Sequence, residues 1–436
     1  MRTRFKSSLL CIALVSSCSA ESDPERPSIV FISVDTLSAR HTSLYGYERE
    51  TTPGLDQLAT SSVVFDRCWS NAPWTAPSYM SQFTGLQPAS FRRPFGEDSE
   101  GDLWSLAPEH EVLAELFQDA GYRTAGIVDN FNAGQLFGLE RGFEYYDESA
   151  AKRGLDDVSG GIDHAAPLAL EWLDALDPDE PFFLFLQVLD VHGPYLSGSK
   201  WKGELTASSI ADRTAPVAVT KETMLSAIPK YTADPVLAEG QTRLSVIQLV
   251  DDYDRGIRSI DAALTDFVAE LNSRDLLQKA WLVISADHGE SMVEHESYFN
   301  HLLLHGEELH VPLIVRPPGG VEGHRVGTNV QLVDLLPSFL DVGGLPHPKT
   351  LHGRSFLPAV LGQPLDQVAA FAYGDFEESR SVIVGDWNLV ETNPLVRSAG
   401  LAGFFSSPSR SLLAGRQLSR DRRKGFWYLR ATSLSA

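Results

Sequence analysis

Ser28-Ile29-Val30-Phe31-Ile32-Ser33-Val34, followed by Asp35-Thr36, and Ala280-Trp281-Leu282-Val283-Ile284-Ser285-Ala286, followed by Asp287-His288, decide the fold of this chain. Each is a short, unbroken or nearly unbroken apolar run that ends on polar, chemistry-bearing residues. Runs of this kind fit strands covered on both faces, whereas apolar–polar alternation marks a sheet with one wet face. Two more have the same character: Arg123–Val128 (RTAGIV) and Phe182–Val188 (FFLFLQV). Between them, residues 112–120, 162–176 and 244–272 repeat apolar side chains at the three-to-four residue spacing of amphipathic helices. Strands alternating with helices predict an α/β fold, a mostly parallel sheet sandwiched by helices. Residues 310–316 (HVPLIVR) are a further strand candidate and 330–340 a further helix. From 369 onward, alternation in Ser381-Val382-Ile383-Val384 and in residues 387–390 predicts a small antiparallel C-terminal subdomain. Residues 200–239 have no clean period and read as an irregular insertion near the substrate.

The 436 residues, 43% hydrophobic and 22% charged, suffice for a large packed core. The formal charge of −22 argues against nucleic-acid partners, whose backbones are held by clustered Lys and Arg. Arg2, Arg4 and Lys6 precede a short apolar stretch, Leu9 to Val15, too short to span a bilayer, and predict an export signal over residues 1–17. Val15-Ser16-Ser17-Cys18 resembles a bacterial lipoprotein box, which would leave Cys18 as the lipidated first mature residue; an ordinary cleavage after Ala20 is the alternative. Either way the protein is expected in the cell envelope or periplasm, meeting membranes only through a lipid anchor. Residues 18–27 read as a tether, 28–368 as a catalytic domain and 369–436 as the small subdomain. Cys11 lies in the leader, so Cys68 is the only other thiol and reads as a small packed residue.

In open parallel sheets ligands bind beyond the carboxyl ends of the strands. Here the first strand ends in Asp35, the FFLFLQV strand leads through Asp190 to His192, and the AWLVISA strand delivers Asp287 and His288. Carboxylates with an imidazole are a reasonable donor set for a divalent cation. Each residue alone could equally be a cap or a loop residue satisfied by backbone.

Over residues 28–388 the chain resembles the sulfatase family of the alkaline phosphatase superfamily. The landmarks are Ile32-Ser33-Val34-Asp35-Thr36-Leu37 with Tyr45-Gly46-Tyr47, Thr51-Thr52-Pro53 with Leu55-Asp56-Gln57-Leu58-Ala59, Ser285-Ala286-Asp287-His288-Gly289-Glu290, Val333-Asp334-Leu335-Leu336-Pro337-Ser338 and Gly353-Arg354-Ser355. The resemblance implies an alkaline-phosphatase-like fold, metal ligands at Asp35, Asp287 and His288, and a sulfate- or phosphate-contacting His192. Where sulfatases carry Cys or Ser ahead of x-Pro-Ser-Arg, this chain reads Thr75-Ala76-Pro77-Ser78-Tyr79. Thr75 therefore stands at the nucleophile position and next to the metal, and threonine cannot yield the formylglycine that sulfatases make from Cys or Ser. The competing reading is that Thr75 only caps the helix that Pro77 and Ser78 begin.

Threonine at this position, with Thr36 where many sulfatases have a second Asp, also resembles the phosphoglycerol transferase branch that includes lipoteichoic-acid synthase. With no Asp-x-x-Gly-His segment of the two-zinc phosphodiesterases, one divalent ion is expected: calcium by resemblance, manganese or magnesium otherwise. His301, or His295, would protonate the leaving group. Tyr79 replaces the family's Arg, which weakens binding of a dianion; Arg40 and His41 could supply part of that charge. The expected function is a metal-dependent hydrolase cleaving a sulfate or phosphate ester of a small-molecule, glycan or lipid substrate through Thr75. A transferase using an alcohol acceptor and an inactive anchored binding module are the alternatives.

Overall fold

In the computed structural model, which describes residues 26–91, 106–153, 160–193, 195, 201–206, 218–219, 244–292, 301–374, 379–385, 387–391, 418–420 and 427–429, the Ser28–Val34 run lies in the middle of an eight-stranded sheet. The order across it is His324–Val326, Val63–Phe65, Leu313–Arg316, Ala280–Ser285, Ser28–Val34, Phe182–Val188, Arg123–Val128 and Tyr145–Asp147. All neighbours pair in parallel except Leu313–Arg316, which runs antiparallel to both of its own. Every residue of Ser28–Val34 and Phe182–Val188 is buried. Neither face of these strands meets water, which is why their sequences show no alternation. Rings fill the packing between sheet and helices: Phe183 stacks on Phe117 of the Leu113–Asp119 helix at 5.1 Å, and Phe31 meets Phe339 of the Leu335–Gly343 helix edge-on at 5.5 Å.

The predicted helices form as Leu113–Asp119, Ile162–Asp174 and Val246–Ser273. Two expectations fail at their edges. The run at 310–316 is two strands: Pro312 separates His310–Val311, which pairs with Cys68–Trp69, from Leu313–Arg316 in the main sheet. Proline donates no ladder hydrogen bond, and the chain changes sheets there. The helix expected from 330 begins later, at Leu335, because Val330–Gln331 pairs as a strand and Gln331 with Asp334 forms a capping box around a single 3₁₀ turn.

Ala370–Gly374, Ser379–Val384 and Trp387–Glu391 form the expected antiparallel sheet. It encloses a second small core of Leu304, Leu309, Ala370, Ala372 and Ile383, and Asn388 Nδ2 donates to the Leu304 carbonyl at 2.8 Å. The small sheet thus braces the segment that carries His301. The leader, Cys18 and nearly all of the tether lie outside the described residues, as do His295 and most of 200–239. Cys68 is buried and its thiol is pushed well up by burial, as a packed residue requires.

Candidate functional site

The parallel topology turns the carboxyl ends of four strands onto one rim, and the polar residues that follow them converge. Asp35 follows Ser28–Val34, Asp129 and Asn130 follow Arg123–Val128, Asp190 and His192 follow Phe182–Val188, and Asp287 and His288 follow Ala280–Ser285. Ligand atoms of Asp35, Asp287 and His288 all lie within 4.8 Å of one another, and all three residues are fully buried.

Hydrogen bonds divide each carboxylate into a held oxygen and a free one. Asp35 Oδ2 accepts from Asn130 Nδ2 at 2.7 Å and from Gln187 Nε2 at 2.9 Å, while Oδ1 has no partner. Asp287 Oδ1 accepts from the backbone N–H of His288 at 2.8 Å and of Thr36 at 3.2 Å, while Oδ2 has none. Buried carboxylate oxygens left unpaired are costly. His288 Nε2 stands 3.8 Å from Asp35 Oδ1 and 3.4 Å from Asp287 Oδ2, next to both orphans. Its Nδ1 donates to the Gly289 carbonyl at 2.9 Å, so Nε2 carries the lone pair.

The charge states fit a cation site. Burial pushes the Asp287 carboxyl up to about 6, against the pull of its backbone donors, and burial followed by the Asp287 charge raises Asp35. Burial, followed by His301, pushes the His288 imidazole down to about 3, leaving it a neutral nitrogen donor at physiological pH. Two oxygens and one nitrogen of this kind are an apt set for a hard or borderline divalent ion, which would answer the unpaired oxygens.

Thr75 is the first residue of the Thr75–Thr84 helix, and its N-cap is Trp74 in extended conformation, with no side-chain capping bond. The capping reading of Thr75 is thereby removed. Its Oγ1 lies 3.5 Å from His288 Nε2 and accepts from Asn130 Nδ2 at 3.2 Å. Ser78, one turn on, donates to the Asp287 carbonyl at 2.7 Å and ties the start of this helix to the Asp287-His288 segment. Gly289 makes room for the same segment: a Cβ there would come within 2.1 Å of the Glu307 carbonyl.

His301 joins the cluster, its ring 4.5 Å from that of His288 and 5.5 Å from that of His192. Burial works to discharge it. The Glu290 carboxylate, 3.2 Å from Nδ1, outweighs burial together with Asp35 and Asp287, and the imidazole is held above its ordinary pKa. His192 Nδ1 donates to the Gly193 carbonyl at 2.6 Å, which leaves its Nε2 for other partners.

Thr36 offers no side-chain ligand: its hydroxyl donates to the Asp35 carbonyl at 2.7 Å, and its contribution is the backbone N–H on Asp287. It does so at φ 59°, a strained conformation for a β-branched residue. The Tyr253 hydroxyl, from the Val246–Ser273 helix, holds that turn by donating to the Thr36 carbonyl at 2.6 Å and accepting from the Ser38 N–H at 3.0 Å.

Other sequence expectations are corrected by the geometry. Arg40 does not lend charge to the site, because its guanidinium pairs with Glu307. Nor does His41, whose Nδ1 lies 2.7 Å from Asp254 Oδ1 inside a buried network with Tyr47 and Arg49. Tyr79 contributes no charge in place of the family's Arg either: it is a core residue, its hydroxyl donating to Ser33 Oγ at 2.8 Å and its ring edge-on to Phe185. His310, the first residue of the strand candidate at 310–316, is packed between Trp69 and Tyr45 and pushed down to about 4 by burial.

Three residues escaped the sequence reading: Asn130, Gln187 and Glu290. Asn130 stands at a strand end, where the rule that picked out Asp35 and Asp287 should have found it. Gln187 sits inside an apolar strand, where one amide has no distinguishing signal.

The family model for sulfatases matches residues 27–345. Human arylsulfatase K is 26% identical over 372 residues, an alignment covering 76% of this chain and 66% of that protein, just under two thirds of its length. The uncharacterised sulfatase YidJ of Escherichia coli strain K12 is 22% identical over 417 residues, covering 84% of this chain and 79% of that one. Among solved structures, the phosphonate monoester hydrolase of Agrobacterium radiobacter superposes with a TM-score of 0.65 at 17% identity, over 84% of this chain and 88% of that one, a likeness of fold. With the match running from Pro27 through Asp287 and His288 to the Leu335–Gly343 helix, this chain belongs to the sulfatase family.

Proposed function

We propose that the protein is a metal-dependent ester hydrolase with sulfate monoesters as its first substrate class, and that Thr75, unmodified, is its nucleophile. The observation that carries this reading is the meeting of Thr75 Oγ1, His288 Nε2 and the two unpaired oxygens Asp35 Oδ1 and Asp287 Oδ2 in one buried spot. A divalent cation held by Asp35, Asp287, His288 and Thr75 would supply Lewis-acid charge that acidifies the hydroxyl and neutralises ester oxygens.

In this reading Thr75 Oγ1 forms a bond to sulfur as the bond from sulfur to the leaving oxygen breaks, and the hydroxyl passes its proton to solvent water. The His301 imidazolium, oriented by Glu290 at Nδ1, gives its Nε2 proton to the leaving alkoxide. His192, its Nδ1 committed to the Gly193 carbonyl, is the residue assigned to contact the nonbridging oxygens. Water then attacks sulfur and breaks its bond to Thr75 Oγ1, releasing sulfate; one of its protons restores the threonine hydroxyl and the other restores the His301 imidazolium. The arylsulfatase relatives support sulfate over phosphate. Threonine, which attacks without formylglycine, keeps phosphate esters within reach, and an alcohol in place of water would make the same site a transferase.

The reading also puts the protein outside the cytoplasm, anchored through lipid on Cys18. No helix among the described residues is long and apolar enough to cross a membrane.

Release of 4-nitrophenol from 4-nitrophenyl sulfate, 4-nitrophenyl phosphate and bis(4-nitrophenyl) phosphate, with chelator-treated protein before and after adding calcium, manganese or magnesium, tests the proposal. Metal-dependent turnover of at least one ester is expected, and a flat panel sinks it.

A further inference from the structure

The amide of Asn130 touches both halves of the site. Its Nδ2 carries two protons, and two acceptors lie in reach: Asp35 Oδ2 at 2.7 Å and Thr75 Oγ1 at 3.2 Å. The amide cannot turn over, since Oδ1 already accepts the Asn132 N–H at 2.9 Å and a flipped group would set donor against donor there. The backbone is fixed as well. Gln187 Oε1 accepts the N–H groups of Asp129 at 3.0 Å and Asn130 at 2.9 Å, while Gln187 Nε2 gives Asp35 Oδ2 its second hydrogen bond at 2.9 Å. With Oδ2 thus occupied, Asp35 is left with Oδ1 to present toward His288.

We infer that Asn130 is a positioning residue that, through one side-chain amide, orients the Thr75 hydroxyl as an acceptor and selects Asp35 Oδ1 as the metal-facing oxygen. The inference rests on the reading of Thr75 as nucleophile for its first half, and on Asp35 as a metal ligand for its second. As an acceptor from Asn130, Thr75 Oγ1 has its remaining lone pair and proton to direct elsewhere, and His288 Nε2 is its other polar neighbour at 3.5 Å. Asn130 is buried among these groups, and no other side chain shares hydrogen bonds with both Thr75 and Asp35 among the described residues.

Asn130→Ala and Asn130→Ser test this. Serine keeps an N-cap acceptor for the Asn132 N–H, so the local turn survives, but it is too short to reach Thr75 and Asp35. Manganese affinity by calorimetry, kcat and KM on whichever 4-nitrophenyl ester the parent turns over, and the metal-free thermal midpoint are measured together. The expected result is affinity weakened about tenfold and kcat lowered by roughly a hundredfold, with KM moving much less and the midpoint of Asn130→Ser near the parent. If Asn130→Ser keeps the parent's affinity and kcat, Asn130 is only a cap and the inference is overturned. A parent that binds manganese yet cleaves no ester fails the proposed function instead. The manganese affinities then still decide Asn130: weakening supports it and equality overturns it.

Discussion

Thr75 Oγ1 and His288 Nε2 lie 3.5 Å apart although 213 positions separate them in the chain. One opens a helix and the other follows a central strand, and Ser78 fastens the two elements by donating to the carbonyl of Asp287. This proximity gives the hydroxyl a chemical partner that an ordinary helix start does not have.

Replacing Thr75 separates a nucleophile from a packed first-turn residue. Thr75→Ala should lower kcat by several orders of magnitude while the protein stays folded, because the oxygen that forms the bond is gone. Thr75→Ser keeps that oxygen and should retain measurable turnover. Peptide mass measurement should find threonine unmodified. If Thr75→Ala stays within about tenfold of the parent, a difference of about 1.4 kcal/mol in barrier, another group is the nucleophile.

Metal binding should be linked to pH through Asp287, whose carboxyl in the metal-free protein is raised to about 6 by burial. Below that value the proton competes with the cation, and above it the carboxylate is free to bind. The rise in thermal midpoint caused by manganese or calcium should therefore be small near pH 5 and grow as pH passes 6 toward 8. Asp287→Asn should weaken binding about tenfold or more. A midpoint shift independent of pH, or an Asp287→Asn variant that binds like the parent, places the ion elsewhere.

Glu290 sets the proton on His301. Its carboxylate is what offsets burial and holds the imidazole above its ordinary pKa. If His301 is the acid that releases the leaving group, the basic limb of the kcat/KM profile reports loss of its proton. Glu290→Gln removes the stabilising charge, lowers that pKa and should move the basic limb to lower pH. His301→Gln should slow esters of poor leaving groups far more than 4-nitrophenyl esters, which need little protonation. An unmoved limb in Glu290→Gln assigns the acid to another residue.

Cys18→Ser in the full-length chain should move the protein from the membrane fraction to the soluble one, since the proposed anchor is covalent lipid. Unchanged fractionation with membranes removes the lipid anchor at Cys18.

The sequence by itself determined the fold class and the principal members of the cluster. Apolar runs with no alternation can only be covered on both faces, and the residues that end such strands in a parallel sheet must share a rim, so Asp35, Asp287 and His288 were legible without coordinates. His301 and Thr75 came from resemblance, which carries position along the chain but not direction in space. Only the tertiary structure decided direction. Which carboxylate oxygen is held and which is bare depends on amides from two other strand regions. Arg40 and His41, next to the site in sequence, turn to Glu307 and Asp254 because those partners arrive from segments more than two hundred residues away. Tyr79 disappears into the core, and Thr36 serves through its backbone at a positive φ. Strand periodicity follows from the chain's own repeat and is written locally. A hydrogen bond is chosen by whichever donor packing brings to within about 3 Å, and that choice exists only once the distant segments have met.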